Sequence, residues 1–162
     1  MLRWQPAYVG VGSNLDDPAQ QVRRALEHLR RLPGSCCLVS SRLYRSAPLG
    51  PVPQPDFVNA VAGLLTQHPV EELFTQLRQL EVSLGRPPVH EHWGPRVIDL
   101  DLLAYGTERR SGPDLALPHP GIVERNFVLY PLSEIAPDLG LPGLGRVAEL
   151  QRRVSPQGLT PL

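Results

Sequence analysis

The chain has 162 residues, with 16 basic and 16 acidic side chains, so its formal net charge is zero. This balance creates no overall field toward nucleic acid or an anionic membrane, and no apolar run approaches the ~18 residues of a membrane span. All basic residues are arginines, which excludes a P-loop lysine, a Schiff-base lysine or a lysine general base. The length predicts one domain over residues 1–162. Since the N-terminus lacks a signal-peptide core, we expect a soluble, cytoplasmic protein, and we also expect a monomer.

The first third of the chain predicts a strand, a helix and a second strand. Residues 4–11 are expected to form the first strand, and the chain turns out of it at 12–14. A helix follows, capped by Asp16 or Asp17 and ended by Pro33-Gly34.

The second strand is predicted over residues 36–45, where polar and apolar residues alternate. Its adjacent Cys36 and Cys37 cannot form an unstrained disulfide with one another, and we expect reduced thiols in the core. Residues 56–66 predict a third strand, and leucines at helical spacing predict a second helix over about 70–84.

The fourth strand is predicted over residues 96–105, which completes the order βαββαβ. This order is typical of a ferredoxin-like α+β sandwich, an antiparallel sheet with two helices on one face. Further elements follow this core, and residues 141–162 are expected to be a C-terminal extension. Residues 125–136 predict a short helix that closes the sheet edge, 145–153 predict another helix, and we expect the last nine residues to be frayed.

Two carboxylates, Asp99 and Asp101, stand inside the otherwise apolar fourth strand. Residues two apart in a strand point to the same face, which places these side chains side by side, roughly 6–7 Å apart. Anions this close repel each other, and a hard divalent cation removes the repulsion. Because Mg²⁺ typically uses one or two carboxylates together with substrate phosphates, the pair predicts a magnesium platform. The alternative is a solvated strand face.

Gly10 and Gly12 match the start of a dinucleotide-binding fingerprint, but its third glycine is missing because position 15 is Leu. We therefore interpret the two glycines as a tight strand-to-helix turn.

Several basic and aromatic side chains fall near the predicted carboxylate face. Arginine binds phosphate oxygens bidentately, so arginines that converge on an acidic pair favour a polyphosphate ligand over isolated surface roles. The candidates are Arg78, Arg86, Arg96 and Arg125, together with His119, which two prolines present from a loop.

On the third strand, Phe57 and Asn59 share one face. An amide offers donors and an acceptor to the edge of a heterocycle, and a buried amide without partners costs about 1–3 kcal/mol. Phe57, Trp93 and Phe127 are candidates for ring stacking, with ordinary core packing as the alternative for Phe57 and Phe127.

Together these residues resemble the 6-hydroxymethyl-7,8-dihydropterin pyrophosphokinase family, over roughly residues 6–140. The central motif is W-G-P-R-V-I-D-L-D-L-L at 93–103. The supporting segments are Y-V-G-V-G-S-N-L at 8–15, Y-R-S-A-P-L-G-P at 44–51, Q-P-D-F-V-N-A-V at 54–61, L-E-V-S-L-G-R at 80–86, and L-P-H-P-G-I-V-E-R-N-F-V-L-Y-P-L-S-E-I-A-P at 117–137.

The resemblance implies transfer of the terminal two phosphates of ATP to the hydroxymethyl oxygen of the pterin, with release of AMP, in folate biosynthesis. By the family pattern, Asp99 and Asp101 hold two Mg²⁺ ions and act in catalysis with Arg86 and Arg96. The implied ATP-binding residues are Glu81, Arg86, Trp93, Arg96, Leu102, His119 and Arg125, to which we add Arg78 as one of the arginines that converge on the acidic pair. The implied pterin-binding residues are Ser46, Ala47, Leu49, Phe57, Asn59, Trp93 and Phe127, with Trp93 in a loop that closes over the site.

The chain departs from the family pattern at three places. Positions 87 and 88 are prolines where a second basic residue is frequent, and position 121 is Gly where a basic residue is frequent. Position 78 carries Arg in place of an amide, which suggests compensation for a lost phosphate-facing charge.

Two other classes of function remain as alternatives. A different Mg²⁺-dependent nucleotidyl or phosphoryl transferase on the same sheet would give other products from ATP. An RNA-binding module of RRM type would need a basic, aromatic-rich sheet, which the neutral charge and the third strand do not offer.

Overall fold

The computed structural model describes residues 3–86 and 95–162 of the chain. Its elements follow one another as β1 (Gln5–Ser13), α1 (Pro18–Arg30), β2 (Ser35–Ser40), β3 (Tyr44–Ser46), β4 (Phe57–Thr66), α2 (Val70–Ser83), β5 (Asp99–Tyr105), β6 (Arg110–Ser111), β7 (Ala116–Leu117), a 3₁₀ turn (Ile122–Glu124), α3 (Asn126–Ile135), β8 (Gly140–Leu141), β9 (Gly145–Arg146), α4 (Val147–Arg152) and β10 (Leu159–Pro161).

An antiparallel sheet with the strand order β10-β3-β4-β1-β5 forms the centre of the fold, and β2 pairs with the other end of β4. The predicted second strand is therefore two strands, β2 and β3, on the same side of β4. Counted as one interrupted strand, they complete the ferredoxin-like βαββαβ order, and the expected fold class is confirmed.

Helices cover both faces of the sheet. Helices α1 and α2 pack on one face, where they bury the alternate residues Val9, Leu100 and Leu102 of β1 and β5. On the opposite face α3 and α4 enclose a second core with Val61 and Leu103. The prediction that 125–136 closes the sheet edge is wrong, because the apolar side of α3 packs against β4 in the middle of the sheet.

The C-terminal residues also differ from the expectation. Instead of fraying, β10 pairs with the outer edge of β3, and the Leu162 amide donates to the Leu43 carbonyl at 2.9 Å. The edge strand β3 supplies backbone partners that a terminal segment lacks by itself, which explains why local composition did not reveal it.

The cysteines are not the expected core pair. Cys36 is exposed and Cys37 is only partly buried, because β2 pairs with the sheet on one side only and its register shifts between Cys37 and Val39. Helices of the described residues are all too short or too polar to cross a bilayer.

Candidate active site

A cavity of about 240 Å³ opens on the sheet face that α3 covers only in part. Strands β1, β4 and β5 form its base, and the segments after β3 and β7 form its walls. The lining residues are Gly10, Val11, Gly12, Ser46, Ala47, Leu49, Phe57, Asn59, Ala60, Arg96, Asp99, Asp101, Leu103, His119, Arg125, Phe127 and Val128.

The part of the cavity floor that β1 forms is backbone without side chains. Gly10 and Gly12 lie inside β1 and alternate with Val9 and Val11, which point into the α1/α2 core. The interpretation of these glycines as a strand-to-helix turn is therefore wrong. Paired glycines at strand periodicity also mark a place where a ligand approaches the backbone, and this signal was present in the sequence.

The register places the key side chains in a row across three strands. Gly12 pairs with Asn59 of β4 on one side and with Asp99 of β5 on the other. With strands spaced ~4.8 Å apart, the backbones of Asn59 and Asp99 stand roughly 10 Å apart, with no side chain between them. We call the part of the cavity on the β3–β4 side (Ser46, Ala47, Leu49, Phe57, Asn59 and Phe127) the neutral half. The part on the β5 side (Arg96, Asp99, Asp101, His119 and Arg125) is the charged half.

The neutral half is built around the buried amide of Asn59, which is 6% exposed. Its Nδ2 donates to Ser46 Oγ at 2.6 Å. Its Oδ1 leans over Gly12, since a Cβ added to Gly12 would lie only 2.9 Å from it. The amide is therefore fixed at one end, while its Oδ1 faces the cavity as an acceptor for a donor on a ligand.

In the charged half, Asp99 is held by two guanidinium groups. Arg86 Nη1 donates to Oδ1 at 2.7 Å, and Arg96 Nη1 donates to Oδ2 at 3.0 Å. Burial by itself would raise the pKa of Asp99, but Arg96, Arg86 and Arg78 outweigh it and hold the pKa below its ordinary value. Asp99 is therefore an anion at neutral pH.

Asp101 differs from Asp99 although it lies on the same face of the same strand. No side chain of residues 3–86 or 95–162 forms a hydrogen bond or an ion pair with its carboxylate. Burial and the nearby negative charge of Asp99 raise the pKa of Asp101 to about 7. Its charge is thus destabilised in the absence of a cation.

The donor set fits a hard divalent cation that a substrate also ligates. Within the described residues, no group of three or more His, Cys, Asp or Glu side chains is close enough to hold a metal unaided. Two carboxylates on one face, one of them without a partner, match the protein share of a Mg²⁺ site that substrate phosphates complete. Each Asp99 oxygen keeps a second lone-pair site beside its arginine.

Behind the two carboxylates, Glu81 of α2 ties the helix to β5. Its Oε2 accepts from the Leu100 amide at 2.6 Å and from Arg86 Nη1 at 2.7 Å, and its Oε1 pairs with Arg78 at 3.2 Å. Arg78 also donates to the Leu100 carbonyl. Burial raises the pKa of Glu81 to about 7 against the pull of these arginines. The cluster holds Arg86 against Asp99.

His119 and Arg125 form the wall above β5. The His119 amide donates to the Leu103 carbonyl at 2.8 Å, and its Nδ1 accepts from the Gly121 amide at 3.1 Å. Burial and the nearby Arg125 lower the pKa of His119 to about 4, so the ring is neutral and its remaining proton is on Nε2. The Cζ atom of Arg125 lies 5.9 Å from the centroid of the Phe127 ring. The same guanidinium group lies over Gly121, where an added Cβ would be only 2.6 Å from Arg125 Cζ. Arg125 thus occupies the space that a side chain at position 121 would need.

Most of the site residues that the sequence predicted meet in this cavity. Those that line it are Ser46, Ala47, Leu49, Phe57, Asn59, Arg96, Asp99, Asp101, His119, Arg125 and Phe127. Sequence reasoning missed the floor glycines, Leu103 and Val128 as lining residues. It also missed the contribution of Val11 and Ala60, which reach the cavity although they belong to the core on the other face.

Four predicted nucleotide-binding residues do not line the cavity. Arg78, Glu81 and Arg86 form the cluster behind Asp99 described above. Arg78 does not line the cavity, but its charge acts on the pKa of Asp99, Asp101 and His119, so compensation for a lost phosphate-facing charge stays a prediction. Leu102, 3% exposed, packs in the core on the other face of the sheet, which leaves only its backbone for a ligand contact. Trp93 and the prolines at 87 and 88 lie outside the described residues, and the predicted closing loop stays a prediction.

Comparisons with known proteins agree on one family. The model of the 7,8-dihydro-6-hydroxymethylpterin-pyrophosphokinase (HPPK) family matches residues 8–137. The 2-amino-4-hydroxy-6-hydroxymethyldihydropteridine pyrophosphokinase of Pseudomonas aeruginosa is 44% identical over 147 residues, 90% of each chain. The protein of that name from Haemophilus influenzae is 40% identical and covers 91% of each chain.

Among solved structures, a crystal structure of Plasmodium falciparum HPPK-DHPS superposes with a TM-score of 0.74 at 13% identity. It covers 94% of this chain, which spans only 46% of that longer chain. A likeness at this identity supports the fold alone, and the fold agrees with the ferredoxin-like arrangement described above.

Proposed function

We propose that Asp99 and Asp101 act with two Mg²⁺ ions in the reaction of this enzyme. The chain belongs to the 7,8-dihydro-6-hydroxymethylpterin pyrophosphokinase family, and it transfers pyrophosphate from ATP to 6-hydroxymethyl-7,8-dihydropterin in folate biosynthesis. The observation that carries the proposal is the register. Asn59, Gly12 and Asp99 stand side by side, so a flat heterocycle read by Asn59 lies next to the carboxylate pair.

The neutral half binds the pterin in this proposal. Phe57 and Phe127 offer flat apolar surfaces, and the free Oδ1 of Asn59 accepts from a donor on the ring edge. Ser46 Oγ accepts from Nδ2 and holds the amide in place, with Oδ1 toward the cavity. The bare backbone of Gly12 lets the ring lie close to β1, with its hydroxymethyl group toward the charged half.

The charged half binds the polyphosphate. Arg96, the Nε2–H of neutral His119 and Arg125 present donors on the cavity wall. The buried Nε of Arg96 has no acceptor within the described residues, which suits a site completed by phosphate oxygens. Bound Mg²⁺ would neutralise the phosphate charge and relieve the repulsion between Asp99 and Asp101.

The reaction requires alignment more than covalent participation by the protein. The hydroxymethyl oxygen of the pterin attacks the β-phosphorus of ATP and gives up its proton to solvent, the bond between that phosphorus and the α,β-bridging oxygen breaks, and AMP leaves with that oxygen. The side chains of the neutral half orient the attacking oxygen. Those of the charged half hold the phosphates in line with it, and this alignment supplies much of the rate.

Product analysis tests the assignment of roles. The enzyme is incubated with ATP, pterin and Mg²⁺, and mass spectrometry follows AMP and the pterin diphosphate in wild type and in Asp101→Asn. We expect both products from wild type, none from the variant, and none from wild type in EDTA. AMP formation by Asp101→Asn at the wild-type rate would contradict the proposed metal role. The monomeric state and cytoplasmic location stay predictions from the sequence.

A further inference from the structure

Asn14 directly follows β1, is 2% exposed and does not line the cavity, yet its side chain makes three hydrogen bonds to distant parts of the chain. Its Nδ2 donates to Gln54 Oε1 at 2.8 Å and to the Pro55 carbonyl at 3.0 Å. Its Oδ1 accepts from the Arg96 amide at 2.8 Å. A buried amide with every strong partner satisfied is a costly arrangement to disturb.

The Nδ2 bonds fix the approach to the neutral half. Pro55 lies two residues before the start of β4, which carries Phe57 and Asn59 into the cavity. The segment between β3 and β4 has no regular structure and contains the lining residues Ala47 and Leu49. Asn14 therefore anchors the end of this segment to the end of β1.

The Oδ1 bond fixes the approach to the charged half. The Asn14 amide also donates to the Arg96 carbonyl at 3.0 Å, so both backbone groups of Arg96 are paired with Asn14. With its backbone fixed in this way, Arg96 places Nη1 on Asp99 Oδ2 at 3.0 Å.

We propose that Asn14 is a positioning residue that keeps the neutral half and the charged half in one register, so that pterin and phosphates meet in line. The inference rests on the roles assigned to those halves above. The amide suits this task because one planar group offers two donors in one direction and an acceptor in the other. Aspartate keeps the acceptor but loses both donors, and alanine loses both functions.

Two variants separate the two connections. Asn14→Asp keeps the acceptor for the Arg96 amide and removes the donors to Gln54 and Pro55, whereas Asn14→Ala removes all three bonds. Gln21→Ala is the matched control, because it loses an exposed amide bond to the Asp16 carbonyl in the same β1–α1 connection. Calorimetry measures the Kd of the pterin with Mg²⁺ and an ATP analogue that has a methylene bridge between the α and β phosphorus atoms. Quenched flow measures the single-turnover rate with ATP.

We expect Asn14→Asp to raise the pterin Kd about tenfold, since hydrogen bonds of ordinary strength are lost, and to leave the transfer rate within about twofold. Asn14→Ala should raise the Kd similarly and slow transfer by about 10- to 100-fold through misplacement of Arg96. Gln21→Ala should leave both within about twofold of wild type.

The proposal is overturned if folded Asn14→Ala keeps both the wild-type Kd and rate, or if Asn14→Asp slows transfer as much as Asn14→Ala. Should Asn14→Ala not fold, a raised Kd with an unchanged rate in Asn14→Asp supports the proposal, and any other result for that variant overturns it. Asp99→Ala is measured in parallel, because normal turnover there would show that the proposed site, rather than the link through Asn14, is wrong.

Discussion

The two halves of the cavity share one sheet face but differ in how far the protein satisfies its own polar groups. In the neutral half, Ser46 fixes the Asn59 amide, and among the described residues no partner occupies Oδ1, which is left for a ligand. In the charged half, Asp101 has no partner within the described residues, and the pKa of this carboxyl is raised to about 7 by burial and by Asp99.

This difference indicates a division of labour between recognition and chemistry. A site that recognises a neutral ring gains from a rigid hydrogen-bond pattern, because a ligand without the matching groups leaves a buried polar atom unpaired. A site that stabilises developing phosphate charge needs fixed charges that only the bound substrate and metal complete. Gly12 is the boundary, since it pairs with Asn59 on one side and Asp99 on the other.

The largest expected effect comes from removing a carboxylate of the charged half. Asp101→Ala should lower kcat by about 1,000-fold or more, because in the proposed mechanism Mg²⁺ loses a ligand and the phosphate charge is less well neutralised. The pterin Kd should change by only a fewfold if the halves are separate. Steady-state kinetics and calorimetry check this, with exposed Asp114→Ala as the control. An unchanged kcat would remove Asp101 from the mechanism.

The second effect belongs to the neutral half. Asn59→Ala removes the acceptor that we propose contacts the ring edge and should raise the pterin Kd by about 100-fold, at the upper end of the cost of an unpaired buried group. The Kd of ATP should remain within about twofold. Calorimetry with each substrate measures both. Equal losses for pterin and ATP would contradict the separation of the two halves.

A smaller effect is expected at the boundary. Gly12→Ala adds a Cβ 2.9 Å from Asn59 Oδ1, which must displace the amide, and we expect an increase in pterin Kd of about tenfold. Gly10→Ala is the matched comparison, because a Cβ there meets only the Leu103 side chain at an ordinary 3.5 Å. Calorimetry should give the smaller pterin effect for Gly10→Ala. The reverse order would indicate that the floor does not act through Asn59.

The sequence predicted those parts of the fold that local periodicity determines. Alternation of Asp and Leu over 99–102 correctly predicted the two faces of β5, because side chains in a strand alternate whatever the partner strand is. The same rule placed Phe57 and Asn59 on the cavity face. An amphipathic pattern shows that a helix buries one side but not where, which is why α3 was expected at the sheet edge and lies on its face.

Other parts depend on contacts between distant residues. The Asn14 side chain forms hydrogen bonds with Gln54 and Arg96, which are 40 and 82 positions away in the sequence. The residues next to Asn14 therefore do not indicate its role. Glycine is common both in tight turns and where a ligand lies close to the backbone. Gly10 and Gly12 were predicted to form a turn, but they lie inside β1 at the cavity floor. The nucleotide roles of Glu81 and Leu102 came from the family resemblance, and that of Arg78 came from the arginines expected to converge on the acidic pair. The structure places none of these three side chains in the cavity lining.

The smallest expected effect is on stability. It tests whether the Asp101 carboxylate lacks the partners that the Asn59 amide has. The ordinary pKa of Asp101 is 3.8 and its pKa in the folded protein is about 7. Between these values the folded protein binds more protons than the unfolded chain, so the free energy of unfolding falls as pH rises through this range. Glu81 acts in the same direction, whereas His119, with its pKa lowered to about 4, acts in the opposite direction below its ordinary 6.5.

Asp101→Asn removes the charge of Asp101 together with its repulsion of Asp99 and Glu81, whereas the His119 contribution is present in both proteins. Without metal, the variant should gain stability over wild type as pH rises from about 5 to about 8. The gain should reach about 1 kcal/mol, since Asp101 remains partly in contact with water. Chemical denaturation at each pH measures the difference. Mg²⁺ at the higher pH should stabilise wild type more than the variant, because only wild type offers it both carboxylates. If the difference in free energy of unfolding between variant and wild type did not change with pH, the Asp101 carboxylate would not be destabilised in the folded protein. The proposed contrast between the two halves would then be wrong.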